Sequence, residues 1–162
     1  MMMMMRRCLL ALFLPLALGA CGFQPVYSSA LSSGASPLQI DEIPGRAGHE
    51  LREALILETR NGLPGTEGET GHMAVMLEER VLSTGFRSDG SAFRAILRLN
   101  ARYVVDFEDK AISGEQSAET SYDVPDAPYA DVAAQNDATE RTARELARRI
   151  ADDLIIKLGQ DG

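Results

Sequence analysis

The longest regular pattern in this chain runs from Phe93 to Phe107. Phe93, Ala95, Leu97, Leu99, Ala101, Tyr103, Val105 and Phe107 take every second position, while Arg94, Arg98, Asn100, Arg102, Asp106 and Glu108 fall in the other register. A period of two marks a β-strand with one face buried and one face wet. At about 3.4 Å per residue it would reach roughly 50 Å, long enough to require a bulge or bend along it. Two shorter patterns precede it. Leu38, Ile40 and Ile43 alternate with Gln39 and Asp41 in a first strand ended by Pro44-Gly45. Met73, Val75 and Leu77 oppose Ala74, Met76 and Glu78 in a second, predicted over 73–82. Asp109-Lys110 then turns the chain, and Ala111 to Tyr122 reads as a more polar strand suited to a sheet edge.

Helical spacing appears twice. From Ala47 onward Ala47, Leu51, Ala54, Leu55 and Glu58 share a face, Ile56 and Leu57 widen it, and Gly62 stops it. From Tyr129 to Leu158 the stripe is Ala143, Leu146, Ala147, Ile150, Leu154 and Leu158, with Arg141, Arg144, Glu145, Arg148 and Arg149 outside it or at its margin. The order βαβββα predicts an α+β fold, a two-layer sandwich with two helices on one face of a four-stranded mixed sheet, over residues 37–159.

The N-terminus follows a different logic. Arg6 and Arg7 make a basic start, Cys8 to Leu18 is apolar apart from Pro15, and Leu18-Gly19-Ala20-Cys21 has the form of a lipobox. The run is too short to span a bilayer, which needs roughly 20 apolar residues. Residues 1–20 therefore read as a cleaved lipoprotein signal and Cys21 as the acylated residue, with an ordinary signal and a free Cys21 as the other option. Residues 21–36 carry a Ser/Ala/Gly stretch, Ser28 to Ser36, that reads as a flexible tether.

Charge and cysteine content narrow the function. Without the signal, 142 residues remain, one domain's worth, with 14 basic residues against 24 acidic ones and a formal charge of −10. That balance argues against nucleic acid and against adhesion to an anionic membrane surface. Cys8 and Cys21 are the only cysteines, so the mature domain is expected to lack a disulfide and, with only His49 and His72 besides, a zinc site.

No nucleophile with a base and no phosphate loop stands out: Gly62-Leu63-Pro64-Gly65-Thr66 lacks a P-loop lysine. His49 and His72 read as solvated polar residues, and Asp152-Asp153 as part of a wet helix face, since adjacent helical residues do not converge on a metal. Arg94, Arg98 and Arg102 recur every four residues and share one side of the sheet. They make either a solvated face, with Asp106 and Glu108 as partners, or a row of guanidinium forks for phosphate groups. Pattern alone leaves both open.

Cys21-Gly22-Phe23-Gln24 resembles the mature N-terminus of the lipopolysaccharide-assembly lipoproteins of the LptE family. The order of elements is similar too, as are Ser121-Tyr122, Tyr129-Ala130 and the long Ala- and Arg-rich helix that follows. The resemblance implies the same α+β fold. It also implies an outer-membrane lipoprotein, lipid-anchored on the periplasmic side, that plugs the LptD β-barrel, assists lipopolysaccharide assembly and is not an enzyme. No cofactor is implied. Phe86-Arg87-Ser88-Asp89-Gly90 resembles a family turn whose arginine is a proposed lipopolysaccharide contact, which points to Arg87. The family's second basic contact falls near Asp131, where this chain is acidic, so Arg94 or Arg98 would have to substitute. Two other readings stay open: a structural outer-membrane lipoprotein unrelated to lipopolysaccharide, and a periplasmic enzyme of unfamiliar type.

Overall fold

The computed structural model describes residues 38–160, apart from residues 65, 67 and 68. The expected signal, Cys21 and the tether lie outside the described residues. The elements are β1 (Gln39–Ile40), α1 (Gly45–Thr59), β2 (His72–Phe86), β3 (Ala92–Asp106), β4 (Ala111–Asp123) and α2 (Pro128–Gln160). This is the α+β order βαβββα. The sheet runs β1-β2-β3-β4, with β1 parallel to β2 and the other neighbours antiparallel, so it is mixed and β4 is an edge.

Burial follows the alternation in β3. Ala95, Leu97, Leu99, Ala101, Tyr103 and Val105 are all buried beneath the helices, and Arg94, Arg98, Arg102 and Asp106 are exposed. Ile96 and Val104 also fall on the wet side, where Val104 stays 42% exposed, because register sets the face whatever the side chain. Phe93 belongs to the apolar register yet is 41% exposed. It lies at an irregularity in the sheet. Between Ser83 and Gly85 the pairing advances two residues on β2 and one on β3; between Gly85 and Phe86 it advances one on β2 and two on β3. The long strand thus carries its expected bulge at Phe93, matched by one in its neighbour at Thr84. The Phe93 ring covers Gly85, where a Cβ would come within 2.6 Å of it.

Helix length decides which parts of the sheet are covered. At 1.5 Å per residue the 33 residues of α2 reach about 50 Å, as far as a fifteen-residue strand, whereas the 15 residues of α1 reach only about 22 Å. α2 runs back along β4, and its stripe of Ala143, Leu146, Ala147, Ile150, Leu154 and Leu158 is buried as expected. Its upstream half contributes Ala138, packed with Ala95, Leu97 and Tyr122 in a second cluster. α1 covers one end only, with Ala47, Leu51, Ala54 and Leu55 in the main core beside Met73, Leu99 and Tyr103. Two expectations for α1 fail. Glu58 is exposed and Thr59 is buried instead, its hydroxyl donating to Leu55 O at 2.8 Å, and Ile56 and Leu57 do not widen the buried stripe but stay exposed. Beyond α1, Glu79, Val81 and Ser83 on the helix side of β2 remain exposed.

Candidate functional site

The open face of the sheet collects the basic row. Arg94 pairs with Asp123 at 3.2 Å, Arg98 with Glu119 at 2.6 Å and Arg102 with Glu115 at 3.2 Å. Each carboxylate stands directly opposite its arginine on β4. The expected partners, Asp106 and Glu108, are not used, because cross-strand neighbours sit closer than residues further along the same strand. All six side chains are roughly half exposed or more, so these pairs are weak contributors to stability. They keep the face wet, and each can exchange its carboxylate for another anion at little cost. Arg80 extends the row onto β2, opposite Arg98, and pairs with Glu78 at 2.6 Å. Asn100, shorter than its arginine neighbours, helps to line a shallow depression of about 480 Å³ with Met76, Leu77, Glu78, Arg80, Arg102 and Glu115.

Arg87 is placed differently from Arg94 and Arg98. Its guanidinium donates to Ala92 O at 2.5 Å and to Val124 O at 3.0 Å, and pairs with Asp126 at 3.2 Å. It therefore ties the β2–β3 turn to the segment after β4. That turn is further closed by Arg87 N–H to Ser91 O at 2.8 Å and by Asp89, which accepts from both the backbone and the hydroxyl of Ser91. Those Ser91 bonds hold the Asp89 carboxyl below its ordinary pKa. Around this end of the sheet Val81, Leu82, Phe86, Phe93, Tyr129 and Val132 all stay exposed. Polar fixings and bare apolar side chains thus occupy one end of the molecule. Asp131 lies near it, and Tyr122 has its pKa raised by burial and then by the charges of Asp131 and Glu79.

At the other end Tyr103 reaches across β4. Its hydroxyl donates to Asp153 of α2, and Lys157 donates to the same carboxylate at 2.7 Å. Gly114 makes this possible, since a Cβ there would collide with the Tyr103 ring and with Lys157 Nζ. Burial pushes the Tyr103 phenol well above its ordinary pKa, and the adjacent carboxylate adds to the effect. Burial opposes the Asp153 charge, but hydrogen bonds from Lys157, Tyr103 and Gln116 outweigh it and hold the carboxyl below its usual range. Asp153 is thus a packed structural acid, which corrects the expectation of a purely wet Asp152-Asp153 face; Asp152 is exposed. His49 and His72 are exposed, as expected. Among the described residues no set of three His, Cys, Asp or Glu could hold a metal ion, and no helix is long and apolar enough to cross a membrane.

The sequence pattern marked Arg94, Arg98 and Arg87 but missed Arg80, and missed Arg149 and Lys157, which bond carbonyls of β4. The spacing of Arg149 and Lys157, eight residues apart on one helix face, was the available signal.

Comparison with known proteins agrees with this architecture. The LptE model, described as lipopolysaccharide-assembly, matches residues 33–158. No curated protein matches the chain. A solved structure of a candidate lipoprotein from Caulobacter crescentus is 28% identical, superposes with a TM-score of 0.61, and covers 81% of this chain and 97% of its own. Rare lipoprotein B from Shewanella oneidensis superposes with a TM-score of 0.57 at 12% identity, covering 79% and 99%, a likeness of fold alone. With the family model spanning both helices and all four strands, the chain belongs to the LptE family of lipopolysaccharide-assembly proteins.

Proposed function

We propose that this protein is an outer-membrane lipoprotein, acylated at Cys21, that complexes with and plugs the LptD β-barrel and assists lipopolysaccharide assembly without covalent chemistry. The family match over residues 33–158 carries the reading. The lipobox supports the anchor, and two or more acyl chains make such anchoring stable. The ion-paired sheet face supports residence in a barrel, whose interior is polar.

Lipopolysaccharide carries phosphate groups, and the candidate contacts for them are Arg94, Arg98 and Arg87. Arg94 and Arg98 retain side-chain exposures of 55% and 48%, so each can turn from its carboxylate to a phosphate. Arg87 is only 30% exposed and its donors are engaged, so it would act mainly by holding the turn in shape. Binding of lipopolysaccharide to purified protein at two salt concentrations tests this part. Arg94→Glu with Arg98→Glu should weaken binding roughly tenfold, at about 1 kcal/mol or slightly more for two screened contacts. Equal affinity with an unchanged melt would remove the basic row from the site.

A further inference from the structure

The helical layer of the sandwich is complete at one end only. α1 is 15 residues long and α2 is 33, and the two pack side by side. Glu58, next to last in α1, lines a shallow depression of about 650 Å³ with Arg141, Arg144 and Arg148 of α2, so α1 ends roughly level with Arg141. Upstream of that level α2 runs from Pro128 to Glu140, about 19 Å at 1.5 Å per residue, and among the described residues no helix lies beside it. Tyr129, Val132, Asn136, Glu140, Ala143 and Ala147 follow one another at three- and four-residue steps, which puts them on one flank of α2. Ala143 and Ala147, at the lower end of that flank, are buried in the core that α1 covers. Val132 and Tyr129, at the upper end, are 57% and 94% exposed. The helix side of β2 is bare at the same level: Val81 is 45% exposed although its neighbour Leu97 on β3 is fully buried. The result is a groove with Val81 in its floor, Tyr129 and Val132 in one wall and the end of α1 across its foot.

Charge decides what fits this groove. Glu79 in its floor and Asp131 in the first turn of α2 both act on the Tyr122 hydroxyl, so they face the same space. Among the described residues neither forms an ion pair. Arg144 and Arg148, at the foot, are already paired with Glu140 and Glu145. We propose that the groove is an interaction surface for a basic amphipathic helix of about three to four turns, supplied by a partner protein and seated beside α2 in line with α1. Its apolar stripe covers Val81, Val132 and Tyr129, and its lysines or arginines meet Glu79 and Asp131. A helix suits the place better than a strand, because the open space lies in the helical layer, where neighbouring axes pack about 8–10 Å apart. A phosphate-bearing lipid is disfavoured by the same carboxylates, and a second copy of this chain, acidic overall, brings the wrong charge. The proposal rests on neither the barrel nor lipopolysaccharide.

The chain contains no tryptophan, so a peptide carrying one reports its own binding by fluorescence. The probe is a synthetic helix of about four turns with a Leu/Ala stripe, one tryptophan and lysines on the remaining face; a counterpart carries glutamates in place of the lysines. Both are titrated against the full chain in nanodiscs of neutral phosphatidylcholine, with empty nanodiscs subtracted. The lysine peptide should saturate one site, and the glutamate peptide should bind roughly tenfold more weakly or worse. Val81→Lys should weaken the lysine peptide roughly tenfold, whereas Leu82→Lys, equally exposed on the opposite face of the same strand, should leave it unchanged. Glu79→Lys, at an exposed position, should shift the preference toward the glutamate peptide, and it gives a readout even if Val81→Lys melts early in circular dichroism. No saturable signal from the lysine peptide, equal affinity for the two peptides, a preference unmoved by Glu79→Lys, or a loss in Leu82→Lys equal to that in a folded Val81→Lys would each overturn the proposal.

Discussion

Arginine serves two purposes in this molecule, and its surroundings decide which. Arg94 and Arg98 lie in the open with a carboxylate opposite, whereas Arg87 spends its donors on two backbone carbonyls 37 and five residues away. Replacing Arg87 by Ala should cost about 1–2 kcal/mol, less than a fully buried charged hydrogen bond because the group is partly solvated. Urea denaturation would show it as a lower midpoint, and an unchanged midpoint would contradict the tie. The Tyr103, Asp153 and Lys157 cluster gives a pH signature. Asp153 has a folded pKa below its ordinary 3.8, so its contribution is present above that pH and lost as pH falls through the folded value. Asp153→Asn should lower stability near neutral pH and flatten the acid limb of a stability–pH curve. Tyr103, raised above 10.0, contributes fully below that pH and loses its contribution as pH climbs beyond it, so Tyr103→Phe should soften the alkaline limb.

At the scale of elements, the faces of β3 make the sharpest contrast. Leu97 is fully buried under α2, next to Ala138, while Asn100 lies among the exposed ion pairs. Leu97→Asp should unfold the domain or cost more than about 4 kcal/mol, since an unpaired charge would enter the core. Asn100→Asp should stay within about 0.5 kcal/mol of wild type, and the reverse order in thermal melts would contradict the assignment of faces. Gly114→Ala should also destabilise, because the added methyl displaces Tyr103 from Asp153. The helices, three long strands and the buried stripe were legible because each rests on local periodicity. The first strand was legible too, but its restriction to Gln39–Ile40, the burial of Thr59 in place of Glu58, and the engagement of Arg87 were not, because each depends on where a distant segment arrives. Arg87 looks the same in sequence whether it faces a phosphate or the carbonyl of Val124, and only the arrival of the chain after β4 distinguishes the two.

At the scale of the whole molecule, the two ends of the sheet differ in kind. One is sealed by α1, α2 and the Tyr103 cluster; the other presents a pinned turn, two bulges and bare Phe86 and Phe93. Cys21→Ala should abolish labelling by a fatty-acid probe, and equal label in wild type and variant would contradict acylation at that residue. The proposed complex with a barrel in lipopolysaccharide assembly is tested by purifying the tagged chain from detergent-solubilised membranes and identifying by mass spectrometry what accompanies it. LptD should be recovered in near-stoichiometric amount and retained through a salt wash; recovery of the folded, acylated chain with no β-barrel protein would contradict the complex.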